Sequence, residues 1–569
     1  MEKRFLLAII LSIIILMVYD YYIKKQQAEW RALHPEAQQE EPATVGPPEG
    51  EADKVTVEAD SEDILKPVEP VPVPAVPPVD TPCKEVVVDT PLYRAVFCSH
   101  SGRPMSWRLK RYQLNKSCKC PFWGGKDASQ IWEDPDSSVE RIHVQGKDEL
   151  SLGLEITFDK NNKEAIKEVL TPDHYQLTLE EGQSPAQLVF SGSDIKGRPI
   201  KRIYTFSPDE YLVDLEVEIN DLDPRLAVAG MGLRLNDRID KDGASRYVFT
   251  GFMIYVDDRF EKEKEIETGD FRNYSGKVAW QGFSDKYFLN AVIPRDNPVS
   301  SVRVEQLAPL PGEDTGLFRS KLTYNIQPHM TGRDARFAYN LYFGPKDLRI
   351  LRASKHSLEA AVDLGWFSFV AKPLLMALNF FYKYTHNYGI AIIIITIIIK
   401  IFFYPLTRKQ YESMKAMQKL QPKMMEIREK FKDDKERMNR EIMDFYRTNK
   451  VNPLSGCWPM LLQIPVFFAF YRALMSSIEL RHAPFMLWIQ DLSAKDPCYI
   501  TPIVMGATMF LQQKMTPMAG DPAQQKMMQL LPLIFTFFFL NFPSGLVLYW
   551  LVNNILSIGQ QYIQQRQQQ

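Results

Sequence analysis

One stretch constrains this chain more than any other: Gly389 to Leu406 reads GIAIIIITIIIKIFFYPL, apolar almost throughout and interrupted chiefly by Thr396 and Lys400. At 1.5 Å per residue it reaches about 27 Å, close to the ~30 Å hydrocarbon thickness of a bilayer, so it reads as a membrane-spanning helix. Similar candidates follow at 454–478, 500–516, 527–542 and 545–563. Near the start, residues 5–19 form a further apolar run behind Lys3 and Arg4. That run fits a cleaved signal peptide or an uncleaved anchor. No A-x-A-like site follows it, and Asp20, Tyr21, Tyr22, Lys24 and Lys25 form an interfacial set, which favours an anchor over residues 1–23. The expected total is six transmembrane helices. Because the whole chain is only 45% hydrophobic and 24% charged, the membrane character must be local.

Between the anchor and the other spans lie two stretches of different composition. Residues 24–82 read as a linker, since 35–82 hold eleven prolines and twelve acids against two bases, Lys54 and Lys66. Such a composition cannot bury enough apolar surface to offset its chain entropy. From 83 to 350 the period becomes two: Leu150, Leu152, Leu154, Ile156 and Phe158 alternate with other residues, as do Tyr211, Val213, Leu215, Val217 and Ile219. Many such runs with turn signals between them predict a large antiparallel β-sandwich. Helical spacing returns at 358–385, where Trp366, Phe367, Phe369, Val370, Leu374, Leu375, Leu378, Phe381 and Tyr382 predict an amphipathic interfacial helix.

Charge sets the expected orientation. Residues 407–450 carry thirteen Lys or Arg and eight acids, whereas 479–499 carry two bases and three acids. The positive-inside rule places 407–450 in the cytoplasm, with both termini, and the β-domain and the 479–499 loop outside. Four of the six cysteines, Cys83, Cys98, Cys118 and Cys120, then lie in the extracytoplasmic β-domain, where disulfides can form and three pairings among the four are possible. Cys118-Lys-Cys120 lacks a second ligand pair at zinc spacing, so no metal is expected.

A charge inside a span is the first place to look for function. Lys400 lies six residues before Leu406, about 9 Å from the expected cytoplasmic end of its helix. Gln463, Gln512, Gln513, Asn553 and Asn554 fall at similar depth in other spans, with Thr396 one turn from Lys400. Two readings stand: a hydrated recess open to the cytoplasm and closed outward by Ile392 to Ile395, or a snorkelling lysine among ordinary interhelical amides. Residues 408–450 read as a helical hairpin turning at Lys432 to Lys435, with an apolar stripe that includes Met414, Met417, Met424 and Met438, and Met425 beside it. Flexible methionines suit a surface that meets many apolar sequences, and a net charge of plus five suits anionic lipid or ribosomal RNA. No Walker A loop, G-x-S-x-G or H-E-x-x-H motif is present, and none of the eight histidines falls inside the predicted spans, His386 and His482 lying only at edges. An enzyme is therefore not expected, nor is a cofactor. A secondary transporter and a membrane-anchored scaffold remain as rival classes; against transport, no repeat or broken-helix pair surrounds the polar set.

A series of motifs in fixed order sharpens this: Tyr404-Pro-Leu-Thr407, Leu420-Gln-Pro-Lys423, Val451-Asn-Pro-Leu-Ser-Gly-Cys457, Gln463-Ile-Pro465, Asp491-Leu-Ser493 and Asn541-Phe-Pro-Ser-Gly-Leu-Val-Leu-Tyr-Trp550. From about 360 to 563 the chain resembles the YidC membrane protein insertases. The anchor, linker and β-domain resemble the Gram-negative form of that family, whose periplasmic domain is a β-supersandwich. The resemblance implies a five-helix insertase core with a positively charged hydrophilic groove open to the cytoplasm and lipid. Groove residues would be Lys400, where the family normally has arginine, with Thr396, Gln463, Gln512 and Asn553. An apolar face of Pro465, Phe467, Phe538, Tyr549 and Trp550 would let a client's hydrophobic segment slide. Implied partners are nascent membrane proteins, the ribosome, the Sec translocon (SecYEG and SecDF) and membrane lipids, without DNA; the implied role is that of an inner-membrane insertase and chaperone.

Overall fold

The computed structural model describes residues 83–113, 120, 138–143, 151–157, 163–220, 230–238, 249–263, 266–295, 299, 301–307, 317–325, 335–365, 367–432, 434–449, 458–516 and 522–567. The expected anchor (1–23) and linker (24–82) lie outside these residues. Among them, twenty strands form sheets of five, nine and six strands. All pairings are antiparallel except that of Val87–Asp89 with Gln176–Thr178. Period-two patterning explains the core. In Leu212–Ile219, Val213, Leu215, Val217 and Ile219 are fully buried while Leu212, Asp214, Glu216 and Glu218 are not. The neighbouring strand Pro199–Phe206 sets Tyr204 opposite Leu215 and Phe206 opposite Val213, so one face of the pair is continuously apolar. Phe97, Trp107, Phe190 and Tyr204 fill the space behind it with tilted and edge-on rings.

One ion pair is embedded in this apolar mass. Glu168, with no exposed side-chain surface, accepts hydrogen bonds from Arg202 Nε and Nη2 at 2.7 and 2.9 Å and from Arg103 Nε at 3.3 Å. Arg202 Nη2 also donates to Leu152 O at 2.9 Å. The bidentate geometry offsets the cost of taking both charges out of water.

Eight helices lie among the described residues: α1 (Leu348–Ala353), α2 (Ser368–Thr385), α3 (Tyr388–Lys430), α4 (Lys435–Thr448), α5 (Trp458–Ser476), α6 (Ile500–Met515), α7 (Pro522–Phe539) and α8 (Ser544–Gln567). Three features depart from expectation. First, the β-domain core does not stop at 350: Leu358, Ala361, Leu364, Ala371 and Leu375 join it, as do Ala469, Ala473 and Ile478. Second, the helix expected from 358 starts at 368. A 3-10 turn, Leu358–Ala361, comes first, and Gly365 follows at φ +68°, its N–H donating to Asp363 Oδ1 at 3.0 Å. A helix cannot pass through that left-handed residue. Third, no break separates the span at 386–407 from the hairpin at 408–450. α3 runs through both for 43 residues despite Pro405 and Pro422. Just past Pro405, the Thr407 hydroxyl bonds to Phe403 O and Tyr404 O at 3.1 and 3.0 Å.

Between α3 and α4, Asp434 Oδ1 accepts from Arg437 N at 3.0 Å and caps α4. By length and composition α3 is long and apolar enough to cross a membrane, and it is the one such helix among the described residues; Gln529–Phe539, within α7, is a shorter apolar stretch.

The cysteines pair differently from the expected set. Cys83 joins Cys98, but Cys120 joins Cys498, across a separation of 378 residues. Pairing within the first four missed this because Cys498 reaches Cys120 only through the docking of the helical part on the sheets.

Candidate functional site

Lys400 sits on α3 facing α8. Its ammonium donates to Ser557 Oγ at 2.6 Å and lies 3.4 Å from Asn553 Oδ1. Asn553 and Ser557 are four residues apart, so they share one face of α8. Ser557 Oγ in turn donates to Asn553 O at 2.7 Å. Two turns along, Gln560 Nε2 donates to Thr407 Oγ1 at 2.7 Å, a second polar link between α8 and α3. On its other side α8 is tied to the α6 region: Asn554 Nδ2 donates to Met505 O at 3.4 Å, Gln561 Nε2 to Thr516 Oγ1 at 3.1 Å and Gln565 Nε2 to Met515 O at 3.3 Å. In the opposite direction along α3 the environment becomes dry, with Ile392 and Ile395 buried against a cluster that includes Leu546 and Val547. The site is thus a cation at the boundary between a polar and an apolar half of one bundle.

The apolar end is capped by the loop Ser477–Tyr499. Asp491 Oδ1 accepts from His482 N at 3.1 Å and from Ser493 N and Oγ at 2.8 Å each. Asp496 accepts from Cys498 N and Thr501 N at 2.8 Å and from Trp488 Nε1 at 3.1 Å. Burial raises the Asp491 carboxyl above its ordinary range, opposed by these Ser493 and His482 donors and by Arg481. The loop also meets the helices. Leu492 O accepts from Gly545 N at 2.9 Å, Ala494 O from Ser544 N at 2.7 Å, and Phe485 O from Asn387 Nδ2 at 2.8 Å.

The aromatic residues separate into two groups. Phe467 and Trp550 are half-buried and meet edge to face at 4.9 Å, with Phe535 and Phe539 behind Trp550. Phe538 is 63% exposed. Tyr549, by contrast, is buried and stacked on Phe470 at 4.4 Å, which places it in the core rather than on an accessible face. Pro465 is half-buried.

Two family descriptions match the chain: the 60Kd inner membrane protein over residues 380–569 and the YidC periplasmic domain over residues 134–377. The protein "Membrane protein insertase YidC" of Geotalea daltonii is 44% identical over 566 residues, covering 99% of this chain and 98% of its own. That of Geobacter metallireducens is also 44% identical with the same coverage, and that of Syntrophus aciditrophicus is 42% identical over 99% of both chains. The chain belongs to the YidC membrane protein insertase family. It is therefore an inner-membrane protein with a periplasmic domain, to which most of its β-rich part, from residue 134 on, corresponds.

In this YidC-family chain the structure brings together Lys400 and Asn553 of the sequence-derived set. Thr396 is buried and spends its hydroxyl on Ile392 O of its own helix at 2.7 Å. Gln512 is half-buried, and its main-chain carbonyl accepts from Thr516 Oγ1 at 2.8 Å. The Gln463 side chain lies outside the described residues. In the hairpin Met424 is buried, Met414, Met417 and Met438 are half-buried, and Met425 is 44% exposed. Ser557 and Gln560 were missed by sequence reasoning. A usable signal was there: Asn553, Ser557, Gln560 and Gln564 repeat at helical spacing along α8.

Proposed function

We propose that this chain inserts and helps fold membrane proteins, using the Lys400 ammonium as the attractive centre of a hydrophilic groove. The observation that carries this reading is the Lys400–Ser557–Asn553 contact, which holds a cation at a fixed position within the apolar first half of α3. An ammonium has three donors; two face Ser557 and Asn553, leaving one for a client carboxylate or carbonyl. Moving an acidic residue to the centre of a bilayer costs about 2.5–3.5 kcal/mol on insertion scales, and a positive groove lowers that cost for the segment that must cross. The client's hydrophobic segment would leave along Pro465, Phe467, Phe538 and Trp550, with Tyr549 supporting them from the core. α6, with 16 residues, reaches about 24 Å, so local bilayer thinning further lowers the barrier.

The topology that fits this mechanism has six spans, both termini and the α3–α4 hairpin in the cytoplasm, and the loop Ser477–Tyr499 in the periplasm. The hairpin's methionines and basic residues would receive a nascent chain from the ribosome, with anionic lipid beside them. The Sec translocon would be a partner for larger clients, and Gln463 and Gln512 would line the same groove.

The test is reconstitution of the purified full chain into translocon-free liposomes, measuring insertion of a single-span client with an acidic translocated segment. Wild type and Lys400→Arg should insert it, Lys400→Ala less well, and Lys400→Glu hardly at all. Equal insertion by all four would show that Lys400 only snorkels.

A further inference from the structure

The loop Ser477–Tyr499 is attached to the periplasmic domain at both of its ends. Near its start, Arg481 Nη2 donates to Gln113 O, and its guanidinium lies 5.4 Å from the Tyr287 ring centre and 5.3 Å from that of Phe288. At its far end Cys498 is covalently joined to Cys120. Both cysteines are buried, at 4% and 6% exposure, so reductants meet a shielded bond. Between these two attachments lie the residues that cap the bundle: Phe485 against Gly389, Leu492 and Ala494 against the start of α8, and Asp496 bridging Trp488, Cys498 and Thr501.

We propose that Cys120–Cys498 is a covalent clasp by which the periplasmic domain holds this loop shut over the outer end of the insertase bundle. The β-domain thereby becomes part of the outward seal rather than a separate appendage. This role rests on the proposed periplasmic position of the loop. The bond forms when the two thiols pass two electrons and two protons to a disulfide oxidant of that compartment, which leaves as a dithiol. Once made, it couples Cys498, and through Asp496 the first turn of α6, to the sheet. Arg481 does the same non-covalently at the other end. A client pressing into the groove from the cytoplasm then meets a plug backed by a folded domain.

The clasp can be tested on the full chain, extracted from membranes with free thiols alkylated and then cut by trypsin in the Lys- and Arg-rich hairpin, which separates Cys120 from Cys498 along the backbone. The two fragments should migrate together without reductant and apart with it. Cys118→Ser should leave them joined, and Cys120→Ser should separate them in both conditions. Hydrogen exchange in lipid nanodiscs then reads the seal: backbone amides of residues 483–496 should exchange roughly tenfold faster in Cys120→Ser than in wild type, with the β-domain amides unchanged. Fragments that separate without reductant, or a loop whose exchange is the same in Cys120→Ser, would overturn the clasp. Failure of the groove reading shows separately, as loss of the difference between Lys400→Glu and wild type while the fragments stay joined.

Discussion

Lys400 and Ser557, 157 positions apart in the chain, meet through a hydrogen bond of 2.6 Å. The serine is itself held by Asn553 O, one turn away on the same helix, so the ammonium is placed by α8 rather than left to swing on its four-carbon stem.

Removing that hydroxyl should weaken the site without removing its charge. For Ser557→Ala, insertion of a client with an acidic translocated segment is expected to fall roughly three- to tenfold, in line with the net loss of one ordinary hydrogen bond where water can replace the hydroxyl, while a client with an uncharged segment is little affected. Ser557→Thr, which keeps the hydroxyl, should recover most of the loss. Equal losses for both clients in the reconstituted assay would point to a packing defect instead.

Gly389 is required by a close approach. A Cβ at this position would stand 2.0 Å from Phe485 Cδ2, so Gly389→Ala must push the ring and strain the Asn387–Phe485 hydrogen bond beside it. A destabilisation of about 1–3 kcal/mol is expected, seen as a lower Tm in detergent. Adding Phe485→Leu should restore part of it; a Tm unaltered by Gly389→Ala alone would rule the clash out.

Glu168→Gln tests the buried ion pair of the periplasmic domain. The variant keeps the shape of the side chain but leaves Arg202 and Arg103 without their carboxylate. Loss of one partner of a buried pair costs about 3–5 kcal/mol. Thermal unfolding should show the β-domain melting well below wild type, and no change in its transition would mean that water or a neighbouring group replaces the carboxylate.

His482 should make the protein sensitive to acid. Burial, with Arg481 beside it, pushes the imidazole from its ordinary 6.5 down to about 3. Between those values the unfolded chain takes up a proton that the folded chain refuses. The contribution is therefore fully present above about pH 6.5 and is lost as pH falls through the window towards 3. His482 has φ +59°, a conformation that asparagine also tolerates. His482→Asn should flatten the loss of stability between about pH 7 and 4.5 by on the order of 1 kcal/mol, allowing for the partial exposure of the ring. A pH profile parallel to wild type would place the acid sensitivity elsewhere.

What the sequence determined by itself was whatever depends on local pattern. Alternation in Tyr211 to Ile219 is enough to make a one-sided strand, the apolar run from Gly389 to Leu406 is enough to make a long helix, and the ordered motifs between Tyr404 and Trp550 are enough to name the family. Lys400 was conspicuous because one charge interrupts an apolar run. Tertiary structure decided which distant groups meet. The partner of Lys400 is a serine on α8 that carries no conspicuous signal alone. The pairing of Cys120 with Cys498 depends on how the helices dock on the sheets, and Tyr549 turns inward to Phe470 although Trp550 beside it remains half-exposed. Periodicity fixes the face on which a side chain lies, but the rotation and docking of each element, set by packing across hundreds of residues, decide what that face touches.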